Sequence, residues 1–167
     1  MKLVPFLLLL PMVIQGYGEL ELDNKKFLIY NSVYRDAKIA MFGKGEHLVG
    51  TYDGEINPDQ VWKLVPSGRK EFKYGDCHYI VNTHYPEWRI ADLDHKLRVQ
   101  KGPYKDYQLF RFETSGWMED MKELTYEIYS CHYFHERMGK WGAGNFDNNM
   151  WNGHGANDQY WRLIPQD

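Results

Sequence analysis

The sequence predicts an all-β domain built from one unit that is repeated three times. Its 167 residues include 15 glycines and 13 tyrosines, a balance that favours strands and turns over helices.

An apolar residue followed by polar residues and a tyrosine opens each unit, at 29–34, 80–85 and 128–133. A glutamine and then an aromatic, a basic and an apolar residue close each unit, at 60–64, 108–112 and 159–163. The opening and closing patterns are 31, 28 and 31 residues apart, and 20 residues separate each closing glutamine from the next opening isoleucine. Matching residue types at matching offsets indicate a threefold internal repeat.

Each unit is predicted to contain four short strands. In the first unit they are expected at 27–32, 37–42, 47–52 and 60–65, with starts about ten residues apart and turn signals at Asp53-Gly54 and Asn57-Pro58. Three such units close into a β-trefoil, a six-stranded barrel capped by three hairpins, and closure leaves no open sheet edge. The repeats are predicted over about 27–66, 78–113 and 126–165, within one domain at 19–167.

The closing pattern has a structural explanation. An aromatic side chain at Trp62, Phe110 and Trp161 can fill the barrel interior, and the apolar residue two positions later shares its face. The basic residue between them is expected to point outward. The closing glutamine, two residues before the aromatic, can satisfy backbone groups in the adjoining turn.

The N-terminal segment predicts secretion. Residues 1–18 combine an early Lys2, an apolar run and small residues at Gly16 and Gly18, which is typical of a signal peptide. The run is interrupted by Pro11 and is shorter than the roughly 20 apolar residues that a membrane span requires. We therefore expect a secreted, extracellular protein with no membrane span.

Secretion makes Cys77 and Cys131 a candidate disulfide. Against this, Cys77 precedes the opening strand of its unit, whereas Cys131 lies near the end of the corresponding strand of the next unit. Only barrel stagger could bring their Cα atoms within about 7 Å. The sequence leaves the bridge undecided.

Composition and motifs argue against several function classes. The net charge is −3, with 20 basic and 23 acidic residues, so nothing indicates a nucleic-acid surface. We find no Gly-x-Ser-x-Gly elbow, phosphate loop or His-Glu-x-x-His motif, and we expect neither an enzyme nor a cofactor. The cluster at 131–136 contains Cys131, His132 and His135, but no further ligand at a characteristic spacing, so no metal site is expected.

In its closing motifs the chain resembles the ricin B-type β-trefoils, whose repeats end in Gln-x-Trp. The motif stands at 60–62 and 159–161, and as Gln-Leu-Phe at 108–110. The resemblance spans nearly the whole of 19–167, and it implies a β-trefoil that binds galactose-type sugars.

A second, more local similarity is to the trefoil domain of insect low-molecular-mass haemolymph lipoproteins. Residues 27–35 look like the opening of a repeat in that family, and 148–153 leading to 160–165 look like an ending. This similarity implies a storage or lipid-carrying role.

The ricin-type resemblance also implies site residues. Such a site takes an Asp after the second strand, an aromatic platform in the third strand, and an Asn or Asp beside the closing glutamine. Asp92 and Gln108 match in the middle unit, and Trp151, Asp158 and Gln159 match in the third. No unit carries the full set. Met41 stands at the Asp position of the first unit, Gln100 at the platform position of the middle unit, and Lys140 at the Asp position of the third.

The third unit has the composition of a sugar site. Trp141, Asp147 and Asn149 join Trp151 in a stretch that mixes aromatic, amide and acidic side chains. An aromatic face can stack on the apolar side of a sugar ring while amides and carboxylates bind its hydroxyls. The alternative is a glycine-rich hairpin whose tryptophans only cap the barrel.

The sequence thus predicts a secreted, non-enzymatic, lectin-like protein whose partners are glycans or a glycoprotein surface. The first alternative is a protein-binding trefoil, such as a protease inhibitor or a venom, salivary or haemolymph effector. The second is a storage or lipid-carrier protein. An apolar cavity would favour the carrier, a shallow polar pocket beside a flat tryptophan the lectin, and a protruding rigid loop the inhibitor. The oligomeric state is left open.

Overall fold

A computed structural model describes residues 20–42, 49–68, 76–118, 123–146, 148–153 and 156–167. The predicted signal peptide at 1–18 lies outside these residues. The strands are β1 (Lys26–Asn31), β2 (Lys38–Met41), β3 (Val49–Tyr52), β4 (Trp62–Pro66), β5 (His78–Asn82), β6 (Trp88–Leu93), β7 (Lys96–Lys101), β8 (Leu109–Met118), β9 (Glu123–Ser130), β10 (Glu136–Lys140), β11 (Asn148–Asn152) and β12 (Tyr160–Gln166). Short 3₁₀ helices precede β4, β8 and β12, at Pro58–Gln60, Asp106–Gln108 and Asn157–Gln159.

Six strands form a closed antiparallel barrel. Strand β1 pairs with β12 and β4, β4 with β5, β5 with β8, β8 with β9, and β9 with β12. The remaining strands form the hairpins β2–β3, β6–β7 and β10–β11. Each hairpin joins the barrel through one equivalent pair, namely Tyr30 with Lys38, Val81 with Arg89 and Tyr129 with Arg137. The predicted β-trefoil of three four-stranded repeats is confirmed.

The closing aromatics lie in the barrel core. Trp62, Phe110 and Trp161 are fully buried. The indole Nε1 of Trp62 donates to the carbonyl of Ile39 at 2.9 Å, and that of Trp161 donates to the carbonyl of Met138 at 2.9 Å. The same bond in the first and third repeats fixes each indole against its own hairpin.

The closing glutamines lie in the 3₁₀ helices and not, as the sequence suggested for the first unit, within the fourth strand. The Oε1 atoms of Gln60, Gln108 and Gln159 accept the backbone N–H three residues earlier, at 2.9, 2.9 and 3.2 Å. This bond closes the turn before the strand begins, which is the backbone-satisfying role predicted for the glutamine.

The basic residues of the closing motif lie outside the core, but two of them are buried. Arg162 lies over the ring of Tyr30, and Arg111 lies over the ring of Tyr129. Their guanidinium groups also donate to loop carbonyls, those of Arg35 and Phe134. Cation–π stacking on an aromatic face, together with these bonds, accounts for burial of the charge.

Cys77 and Cys131 form a disulfide, with Cα atoms 6.6 Å apart. Their chain neighbours, His78 and Ser130, both pair with Phe110 from opposite sides of β8. Barrel stagger therefore brings the start of β5 to the end of β9. The bridge lies in a small apolar cluster on the outside of the barrel with Tyr79, Val81 and Leu109.

Candidate functional site

The third hairpin carries most of the predicted site. In the β10–β11 ladder, Arg137 pairs with Trp151 and Gly139 pairs with Asn149. Residues directly opposite each other in an antiparallel pair project to the same side of the sheet, as do residues two apart along a strand. These four residues therefore share one face of the hairpin.

Trp151 forms a partly exposed platform on this face. Its side chain is next to the backbone of Gly139, since a Cβ added to that glycine would lie 3.0 Å from Cδ1 of Trp151. The same Cβ would lie 3.1 Å from Cγ of Gln159, so the indole and the closing glutamine meet over the glycine. The equivalent residues in the other repeats are Ala40 and Ala91. With 42% of its surface exposed, Trp151 has room to stack on a ligand.

Two acceptor atoms near the platform lack partners. Within the described residues, neither the Oδ1 of Asn149 nor that of Asp158 has a hydrogen-bond partner. Asn149 lies two residues from Trp151 on the shared face, and Asp158 immediately precedes Gln159. Both oxygens are enclosed, and buried polar atoms are ordinarily satisfied by protein or by an ordered water, so each is a place for a water molecule next to the platform.

Trp141 does not join this group. It follows the last residue of β10 and lies four positions along the strand from Arg137, about 13 Å at the usual rise per residue. The hairpin tip next to it docks on the first repeat, where the Asn145 carbonyl accepts the N–H of Thr51 at 2.7 Å. Trp141 is 59% exposed at this docked end, and Asp147 lies outside the described residues.

In the middle repeat the two predicted residues are buried. Asp92 has no exposed surface, and burial raises the pKa of its carboxyl to about 6, with nearby Glu136 adding to the rise. Gln108 is equally buried and donates to Oε1 of Gln100 at 3.2 Å. These side chains meet other protein groups and do not form an open pocket. Lys140, at the Asp position of the third repeat, is buried with its Nζ donating to the carbonyl of Gly144 at 2.7 Å.

Sequence reasoning missed a cavity of about 410 Å³ at the base of the third hairpin. It is lined by Arg111, Tyr129, Phe134, His135, Arg137, Asn152 and Gly153. The guanidinium carbons of Arg111 and Arg137 lie 4.2 and 4.8 Å from the centroid of the Tyr129 ring. The sequence holds a similar pair, Tyr30 with Lys38 eight positions later, but this recurrence does not indicate a cavity.

Charge around the cavity is partly balanced. Arg111 pairs with Glu113 at 2.6 Å, and Arg137 donates to Glu127. Burial raises the pKa of Tyr129, and the negative charge of Glu127 raises it further.

No group of three or more histidine, cysteine or acidic side chains in the described ranges is arranged to hold a metal ion. A search of the same residues finds no helix with the length and apolar character needed to cross a membrane.

Comparison with known proteins gives the fold. The chain matches no protein-family model, and no curated protein is similar to it in sequence. Among solved structures, a mosquitocidal holotoxin is similar with a TM-score of 0.73 and 11% identity, over 88% of this chain. The match covers 18% of the holotoxin. The BEL β-trefoil has a TM-score of 0.70 and 14% identity, over 90% of this chain and 99% of that one.

A ricin B-like lectin from Macrolepiota procera, solved in complex with lactose, is similar with a TM-score of 0.65 and 11% identity. The match covers 87% of this chain and 98% of the lectin. Because the identities are low, these structural similarities establish the β-trefoil fold and nothing about function.

Proposed function

We propose that this protein is a secreted, non-enzymatic lectin-like trefoil that binds carbohydrate on its third repeat. The observation that carries the proposal is the partly exposed indole of Trp151, held against Gly139 next to Gln159, with Asn149 on the same face of the hairpin. An aromatic face with a few convergent polar groups is the usual composition of a sugar pocket. The structural likeness to a lectin solved with lactose supports the choice of ligand class.

The same geometry reduces the number of predicted residues that we assign to the site. We assign binding to Trp151, Asn149, Asp158 and Gln159. Asp92 and Gln108 are left out of it because Gln100, and not an aromatic residue, stands at the platform position beside Gln108, and Trp141 is left out because it is distant. One such site is expected to bind weakly, and clustering would raise its avidity.

Secretion is part of the proposal. The disulfide between Cys77 and Cys131 supports it, because such bonds persist in oxidising compartments. We expect the full sequence, expressed in a secreting eukaryotic host, to appear in the medium with Glu19 as its first residue. Retention in the cell with an uncleaved N terminus would contradict this.

The lipid-carrier alternative finds less support. A cavity of about 520 Å³ lies beside Leu20, Phe27 and Pro165. Its lining also includes the charged residues Glu21, Lys25, Lys26 and Asp167. A carrier of apolar lipid would need a cavity that encloses most of its ligand, whereas this one is open to solvent and bordered by charged side chains.

A glycan array tests the proposal. The protein secreted from the full sequence, with its disulfide intact, is applied to the array with and without free galactose, and lactose affinity is then measured by calorimetry. We expect binding that galactose inhibits and that Trp151→Ala abolishes.

The matched control is Tyr52→Ala, because Tyr52 pairs with Lys38 in the first repeat as Trp151 pairs with Arg137 in the third. This control should keep the affinity. A blank array from folded protein would overturn the proposal and direct attention to protease inhibition and protein partners.

A further inference from the structure

A basic residue at the same position closes the base of the hairpin in the first and second repeats, but not in the third. In the first repeat, Nζ of Lys38 donates to the carbonyl of Gly54 at 2.7 Å. In the second, Arg89 donates to the carbonyl of Gly102. Each bond ties the first residue of a hairpin, or the next one, to the loop that follows its second strand.

Arg137 and Gly153 occupy the equivalent positions in the third repeat. In each repeat the basic residue pairs across the hairpin with one residue of the second strand, and the glycine lies two positions after that partner. The partners of the three basic residues are, in order, Tyr52, Gln100 and Trp151. Over the described part of the chain, Arg137 makes no hydrogen bond to Gly153 and donates to Glu127 of β9 instead. A Cβ added to Gly153 would meet no atom within 4 Å. The closing bond of the other repeats is absent here, and Arg137 and Gly153 both line the cavity of about 410 Å³.

The lining of this cavity is rich in donors. Its charged or titratable members are Arg111, Arg137, His135 and Tyr129, and Asn152 adds an amide. Glu113 and Glu127 pair with the two arginines but are not part of the lining. The lining thus contains two guanidinium groups and no carboxylate.

Arg137 retains donor capacity. It gives Nη1 to Glu127, and its Nη2 makes no hydrogen bond among the described residues. A guanidinium group offers five N–H donors in a planar fork that matches a carboxylate or a sulfate. Charge-assisted bonds of this kind are stronger than those between neutral groups.

The position of the cavity links it to the platform. Arg137 and Trp151 are direct partners in the ladder, and Asn152 and Gly153 follow Trp151 in the chain. We propose that this cavity binds the anionic group, carboxylate or sulfate, of an acidic glycan whose neutral sugar ring stacks on Trp151. The inference rests on the proposed lectin function and names its ligand class.

The test compares three probes on the same secreted protein by calorimetry: lactose, sialyllactose and sulfated lactose. We expect either acidic probe to bind about tenfold more tightly than lactose, the equivalent of one charge-assisted hydrogen bond. Arg137→Gln should remove this preference and leave lactose affinity within about twofold. Arg137→Lys, which keeps the charge without the fork, should restore part of it.

Arg89→Gln is the matched control, since it removes the equivalent cation of the second repeat and should leave the preference unchanged. A thermal melt of each variant verifies folding. Equal affinity for lactose and both acidic probes would overturn the inference while the lectin function stands. A preference that survives Arg137→Gln would overturn it as well. Failure of all three probes to bind would overturn both proposals.

Discussion

The indole of Trp151 occupies the space that a side chain at Gly139 would fill. A Cβ there would lie 3.0 Å from Cδ1 of Trp151, closer than such atoms ordinarily approach. The orientation of the platform thus depends on the absence of one methyl group, at a position where the other repeats carry alanine.

Gly139→Ala should therefore weaken sugar binding while the fold is preserved. The added methyl displaces the ring, and loss of stacking worth roughly 1 kcal/mol corresponds to about a fivefold to tenfold lower affinity for lactose. Tryptophan fluorescence during a lactose titration measures this. Gly153→Ala serves as the control because its methyl meets no atom within 4 Å. Unchanged affinity in Gly139→Ala would place the sugar elsewhere.

Tryptophans of the core and of the site should respond differently to truncation. Trp161 is fully buried, so Trp161→Ala should lower the free energy of unfolding by roughly 3–5 kcal/mol. Trp151 is partly exposed, and Trp151→Ala should lower it by about 1 kcal/mol or less. Urea unfolding distinguishes the two. If Trp151→Ala unfolds the protein, our placement of the site is wrong.

Trp161→Phe refines that comparison, since Phe110 already occupies the equivalent core position of the second repeat. The substitution keeps most of the volume but leaves the carbonyl of Met138 without its indole donor. We expect a loss of roughly 1–3 kcal/mol, between those of the two alanine variants. A loss as large as that of Trp161→Ala would contradict the view that volume dominates at this position.

Much of the fold could be predicted because it follows from local patterns that recur. The repeat of an opening isoleucine and a closing Gln-x-aromatic predicts the barrel, and Gln60 closes its turn as expected. What could not be predicted depends on contacts between repeats. Asp92 has the right position for a site, but Ser130 and Glu136 of the next repeat surround its carboxyl. No pattern within one repeat shows that.

The disulfide and the cavity were hidden for the same reason. Whether Cys77 meets Cys131 depends on the register of β5 and β9 against β8, which spacing along the chain does not specify. Similarly, Arg137 looks equivalent to Lys38 and Arg89 in the sequence. Its bond to Glu127 on a neighbouring strand makes it different.

Removing the disulfide should destabilise the protein without changing its fold. The bridge joins residues 54 positions apart, and the chain-entropy model gives about 4 kcal/mol for a loop of this length. The double variant Cys77→Ser with Cys131→Ser should show this loss in urea unfolding. Adding a reductant should destabilise the unmodified protein to the same degree and leave the double variant unaffected. Equal stability of the unmodified, disulfide-bonded protein and the double variant would contradict the prediction.

Stability should also depend on pH through Asp92. Because burial raises the pKa of its carboxyl to about 6, the folded state holds this proton at pH values where the unfolded chain, with a pKa near 3.9, has released it. The folded state then binds more protons, so the free energy of unfolding contributed by this group falls as pH rises from about 4 to about 6. The full loss, reached above that window, is about 3 kcal/mol.

Asp92→Asn isolates this effect from the titration of other groups. Asparagine has nearly the same shape and stays neutral, so the variant lacks the cost of ionising a buried carboxyl beside Glu136. Urea unfolding at pH 4, 5, 6 and 7 should show unmodified protein losing stability relative to Asp92→Asn as pH rises, with most of the change between pH 4 and 6. A difference that stays constant across this range, or that grows in the opposite direction, would mean that Asp92 is ionised in the folded protein and stabilised by its neighbours.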